Sequence, residues 1–132
     1  MASLAIVRQR AGWDCGVACL ATVAGRSYED VASLFDVEKI SAGGIGGLTH
    51  YSILEGLRHL GLIGDLIFQV DQMRWLQRVP WPPDPMPKLA IVCMAINRRA
   101  HYVVWDDGAV LCPAGVVHEL RDVQNIVEVL RR

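Results

Sequence analysis

The segment Leu89–Ile96, LAIVCMAI, has eight consecutive apolar residues. A run of that length without alternation marks a central strand. HYVVW (101–105) follows it, Asp107-Gly108 is a strong two-residue hairpin turn, and AVLC (109–112) continues beyond the turn. The first half of the chain reads differently. Asp14 stands where it can cap a helix from Cys15 to about Ala24, and Gly25 suits its end. Ser27 caps a second helix, YEDVASLF (28–35), and Thr49 starts a third, HYSILEGLRHL (50–60), which Gly61 ends. Ser41–Gly47 holds four glycines and is a loop, and the four prolines of WPPDPMP (81–87) exclude regular structure. Leu62–Val70 reads as extended, Asp71–Arg78 as a short helix, VVHEL (116–120) as a further strand and RDVQNIVEVL (121–130) as a closing amphipathic helix. Helices first and antiparallel strands second predict an α+β fold, with a groove between the two halves as the place for a site.

A chain of 132 residues, 52% apolar, predicts a single domain spanning 1–132 with ample material for a core. The net charge of −1 and the absence of a Lys/Arg run argue against a nucleic-acid partner. The N-terminal MASLAIVRQR does not read as a signal peptide, because its apolar run is short and its basic residues come after that run. No stretch approaches the roughly 18 apolar residues of a membrane span, so no membrane insertion is expected and the location is predicted to be cytoplasmic. The cysteines at 15, 19, 93 and 112 form no CxxC pair and are expected to be free thiols in a reducing compartment. Cys15 and Cys19 lie one helical turn apart, which raises zinc. With no second paired element, neither metal nor cofactor is expected.

Chemistry concentrates in QRAGWDCGVAC (9–19). Cys15 opens the first helix, so its thiol would feel the positive end of the helix dipole. A free thiol has a pKa of about 8.5 and is mostly protonated at neutral pH. The dipole and a nearby protonated His101 would each lower that value. Gln9 could give a side-chain N–H to the oxyanion formed when the thiolate attacks a carbonyl, with the backbone N–H of Cys15 as second donor. Gly16 would leave room for a substrate backbone beside the sulfur. Cys19 shares a helix face with apolar neighbours and reads as core, and His50, His59 and His118 read as structural.

These residues resemble a known pattern. QRAGWDCGVACLATVAG is similar to the active-site segment of the bacteriocin-processing, double-glycine-leader peptidases, a branch of the papain-like cysteine peptidases. Gln9, Asp14, Cys15 and Gly16 match at that family's spacing. GGLTHYSILEGLRHLGL resembles the family's next helix, and LAIVCMAINRRAHYVVW resembles the strand pair that carries the base, where His101 falls. The resemblance implies a papain-like fold, a peptide or protein substrate, Cys15 as nucleophile, His101 as base and acid and Gln9 as oxyanion donor. It also places Asp14, Gly16, Gly46 and Gly47 along the substrate groove. One position departs from the family. Where the family carries the Asp that orients the imidazole, this chain has Cys112, followed by Pro113. A thiol is a weak hydrogen-bond acceptor and would hold the ring poorly.

The leading expectation is a thiol hydrolase of a peptide or related amide bond, resembling the stand-alone members of the family. The alternative is a papain-like domain that binds a peptide without cleaving it. A metal site built from Cys15, His101 and Cys112 is a third reading. Substrate, oligomeric state and biological role are not fixed by the sequence.

Overall fold

The computed structural model describes residues 4–35, 48–70, 82–97, 99–116 and 119–131. Three helices come first among these: α1 (Cys15–Ala24), α2 (Tyr28–Ala32) and α3 (His50–His59). Five strands follow: β1 (Leu62–Gln69), β2 (Leu89–Ile96), β3 (Arg99–Asp106), β4 (Ala109–Leu111) and β5 (Val123–Arg131). They form one antiparallel sheet in the order β1-β5-β2-β3-β4.

The helix boundaries follow local chemistry. Ser27 Oγ accepts from the Asp30 N–H at 3.1 Å, and Thr49 Oγ1 accepts from the Ser52 N–H at 3.3 Å. Each satisfies a first-turn donor that the helix itself cannot pair. Gly25 ends α1 in the left-handed region at φ 65°, a conformation glycine takes without steric cost. α2 stops at Ala32, three residues short of the predicted YEDVASLF, and residues 33–35 turn away. The β3–β4 turn has φ 47° at Asp107 and φ 98° at Gly108, the two positive values of the tight hairpin that the Asp-Gly pair foretold.

Nine of the ten residues of α1 are buried, because the helix is apolar on every side and sits beneath the sheet. Period-2 alternation gives the sheet two apolar faces. Ile91, Cys93, Tyr102, Val104, Val127 and Val129 pack with the α1 residues Val17, Cys19 and Leu20 and with Ile53 and Leu57 of α3. Ala90, Val92, Met94, Val103 and Ile126 belong to the other face, with Phe68, Cys112 and Val123. α3 lies tight on β1. A Cβ at Gly64 would come within 2.7 Å of Leu57 and 2.9 Å of Leu54, so only glycine permits that approach.

Two expectations for the C-terminal part fail. RDVQNIVEVL, predicted as a helix, forms β5 instead. Its apolar residues satisfy helical spacing, but Val123, Ile126, Val127 and Val129 are β-branched and favour a strand. β5 lies between β1 and β2, and Ile126 and Val127, on opposite faces, are both fully buried. A strand covered on both faces loses the alternation that would reveal it. Of the predicted strand VVHEL, Val116, Glu119 and Leu120 lie outside any strand, and Val117 and His118 fall outside the described residues. The predicted helix Asp71–Arg78 and the glycine loop Ser41–Gly47 also fall outside them.

Candidate active site

α1 delivers Cys15 to the edge of β3. The Cys15 Sγ accepts a hydrogen bond from the backbone N–H of Tyr102 at 3.5 Å. Tyr102 follows His101 directly, so the thiol is pinned against the stretch of strand that carries the imidazole. Cys15 is only 3% exposed. Burial pushes its thiol pKa up, against the opposing pull of the Tyr102 and Gly16 amides, and the neighbouring Asp14 charge adds to the rise. This corrects the sequence-based expectation. The helix start does aim amides at the sulfur, but loss of water outweighs them.

His101 lies opposite Met94 in the β2–β3 ladder. Its Nε2 is 3.2 Å from the Cys112 Sγ. Cys112 follows β4, is 3% exposed and belongs to the apolar cluster on that face of the sheet. The β3–β4 hairpin therefore folds the departing residue back onto the imidazole. The group meeting the ring is a thiol where the resemblance would put a carboxylate.

Gln9 is held by its own backbone. Its N–H donates to the Pro113 carbonyl at 3.0 Å, which ties it to the residue after Cys112. Its Nε2 donates to the Ala11 carbonyl at 2.8 Å, while its Oε1 is buried with no hydrogen-bond partner among the described residues. An amide nitrogen carries two hydrogens, so one donor remains beyond the Ala11 contact.

Asp14 occupies the N-cap position of α1 and its carbonyl accepts from the Ala18 N–H at 3.0 Å, yet its side chain does not cap. The carboxylate turns back to accept from the Arg10 N–H at 2.8 Å, the Ala11 N–H at 3.0 Å and the Tyr28 hydroxyl at 2.7 Å. It is wholly buried. Asp14 thus fixes the loop between Gln9 and Cys15. Tyr28 is the partner that sequence reasoning missed. Partial burial first, then the bond to Asp14, pushes its hydroxyl up to about 12. The Arg10 guanidinium stacks on the Tyr28 ring, 4.1 Å from its centroid, and pairs with Glu29. No local pattern marks Tyr28, because its contact depends on how α2 folds against the loop.

A Cβ at Gly16 would meet the Leu48 Cβ and the Ile53 Cδ1 at 3.3 Å, so its smallness serves the packing of α1. Gly46 and Gly47 lie outside the described residues. Cys19 is fully buried in the core, as expected. His59 pairs with Glu55 at 3.4 Å on the exposed side of α3, and the His50 ring packs on Tyr51 at 4.1 Å. His118 is outside the described residues. Among the described residues, no group of three or more His, Cys, Asp and Glu side chains could hold a metal ion, which leaves the reading of a Cys15–His101–Cys112 metal site without support. Beside His101 an open cleft of about 550 Å³ runs from Gly12 past Ile96 and Arg99 to Ala114 and Val116.

Known proteins share this family and fold. The family model for the peptidase C39 family matches residues 3–108, and the chain belongs to that family. A search among curated proteins finds no match. Among solved structures, the chain is similar to the peptidase domain of Streptococcus ComA, a bi-functional ABC transporter of a quorum-sensing pathway. The TM-score is 0.58 at 17% identity, covering 98% of this chain and 100% of that one. It is also similar to a double-glycine-motif protease from an AMS/PCAT transporter, solved in complex with the leader peptide. There the TM-score is 0.61 at 16% identity, covering 99% of this chain and 94% of that one. The mixed helical and antiparallel fold is therefore that of the C39 peptidase domains, a papain-like fold. Among the described residues no helix is long and apolar enough to cross a membrane.

Proposed function

We propose that this chain is a cysteine peptidase that cleaves a peptide or related amide bond through Cys15 and His101. One observation carries the reading: the Cys15 Sγ accepts from the backbone N–H of Tyr102, next to His101. In the proposed first step, His101 takes the thiol proton as the sulfur attacks the carbonyl carbon, and the carbonyl becomes an oxyanion. Because the resting thiol is held protonated by burial, base and nucleophile must act together. The Gln9 amide and the Cys15 backbone N–H serve the oxyanion. His101 then passes the proton to the leaving amine, and water hydrolyses the thioester to regenerate the thiol. The imidazole nitrogen facing Cys112 is Nε2, so Nδ1 is the one assigned to the proton transfer.

Residues 1–132 are taken as one peptidase-like domain, with a peptide or protein as partner. The four cysteines are free in the structure, which favours a reducing, cytoplasmic setting. The test is a mass-spectrometric screen of a peptide library with wild type, Cys15→Ala and His101→Ala. Cleavage by wild type alone supports the reading. Peptide binding without cleavage by any of the three would replace it with the binding-domain alternative.

A further inference from the structure

The open cleft beside His101 is not absorbed by the chemistry above. Its lining includes His101, Arg99 and Gly12 but neither Cys15 nor Gln9. It therefore lies on one side of the reacting groups. The side follows from the proton's path, on the reading of His101 as acid and base. A histidine that protonates the leaving amine must stand at the nitrogen side of the scissile bond. The chain beyond that nitrogen is the part of the substrate that follows the cleaved bond, and the cleft is where it would run.

The walls have a definite chemistry. Ile96, Ala114 and Val116 are apolar, and Val116 is 54% exposed. Arg99 is exposed and lies two residues before His101 on the same face of β3. Acidic residues are absent from the described lining. Strand geometry puts the Arg99 and His101 backbones about 7 Å apart, the reach of two residues of extended peptide. A substrate chain lying along this face would therefore present the guanidinium with a side chain shortly after the bond.

We propose that this cleft binds the substrate residues that follow the cleaved bond, taking an apolar side chain first and an acidic side chain one or two positions later. This rests on the peptidase reading for its direction and adds a substrate preference to it. Arg99 is the residue that sets the preference. Gly12 keeps the mouth open: a Cβ there meets nothing within 4 Å, so a larger side chain would project into open space at the mouth and not into packed protein.

Two measurements test this. The first titrates ¹⁵N-labelled protein with synthetic peptides carrying a free N-terminus and an amidated C-terminus, Leu-Glu-Ala-Ala, Leu-Gln-Ala-Ala and Leu-Lys-Ala-Ala. An exposed ion pair is worth a few tenths to about 1 kcal/mol, so the Glu peptide should bind about two- to fivefold tighter than the Gln peptide. That gap should shrink in high salt, vanish in Arg99→Ala and reverse toward the Lys peptide in Arg99→Glu. Gly12→Leu should weaken all three peptides. The second compares kcat/KM for substrates with one fixed sequence before the bond and the same three sequences after it. Cleavage without discrimination, or a Glu preference that survives in Arg99→Ala, overturns the cleft assignment and leaves the peptidase reading standing. Selective binding of the Glu peptide through Arg99 with no cleavage of any substrate keeps the cleft and removes the peptidase. No binding of any peptide near Arg99 overturns the proposal outright.

Discussion

The His101 Nε2 and the Cys112 Sγ lie 3.2 Å apart, so a thiol stands against the imidazole in this chain. A thiol is a weak hydrogen-bond acceptor and does little to fix the ring's tautomer. We expect Cys112→Asp to raise the rate of Cys15 alkylation about tenfold, the effect of one unit of thiol pKa. Cys112→Ser should change it little. Cys112 sits among apolar side chains, so the new carboxylate should also cost about 1–3 kcal/mol of stability. Alkylation rates and melting temperature are measured together. An Asp variant that folds and alkylates at the wild-type rate would show that Cys112 does not govern His101.

Gln9 is positioned through the Pro113 carbonyl and by its own contact with Ala11. Gln9→Ala should lower kcat about 10²–10³-fold, the usual cost of one oxyanion donor. Cys15 labelling and the melting curve should stay close to wild type. Unchanged kcat on a substrate that wild type cleaves would remove Gln9 from the mechanism.

The buried Cys15 thiol has a raised pKa. Its thiolate fraction is therefore small at neutral pH and grows about tenfold per pH unit. Iodoacetamide labelling of Cys15 in the free protein should climb steadily from about pH 7 to pH 9 without levelling off. A plateau already reached at pH 6 would mean a preformed thiolate and would contradict the burial.

The same burial links stability to alkaline pH. Cys93 is pushed up to about 11, Cys19 well above its ordinary value and Tyr28 to about 12. Folded values above unfolded ones mean that the folded state holds more protons at high pH. The stability is fully present below the unfolded thiol value of about 8.5 and falls as pH rises through the folded values, by up to about 1.4 kcal/mol per unit per thiol. Denaturant midpoints should be flat from pH 6 to 8 and drop from pH 9 to 11. A midpoint unmoved at pH 10.5 would show that the thiols are not buried in solution.

Asp14 accepts from two loop amides and from the Tyr28 hydroxyl. Tyr28→Phe removes one donor at a half-exposed position and should cost about 1 kcal/mol, a few degrees of melting temperature. Asp14→Ala leaves two amides of a part-buried loop without their partner and should cost about 3 kcal/mol. Equal melting temperatures for Asp14→Ala and wild type would show that the loop is held by something else.

Local chemistry was legible in the sequence. Ser27, Thr49, Gly25 and the Asp107-Gly108 turn each act through atoms within a few residues, and each behaves as its sequence neighbourhood predicts. The same holds for the central strand Leu89–Ile96 and for the placement of Cys15 at a helix start. Long-range packing decided the rest. Residues 123–131 carry an apolar spacing that fits a helix, and pairing with β1 and β2, distant in sequence, makes them a strand. Asp14 has the right residue type for a cap, yet α2 brings Tyr28 to its carboxylate and the side chain turns the other way. At Gly16 the approach of Leu48 and Ile53, neither a near neighbour in sequence, leaves little room for a side chain. The thiol pKa shows the same division. The sequence set the helix start that would lower it, while enclosure by the sheet, a property of the whole fold, removes the water a thiolate needs and raises it.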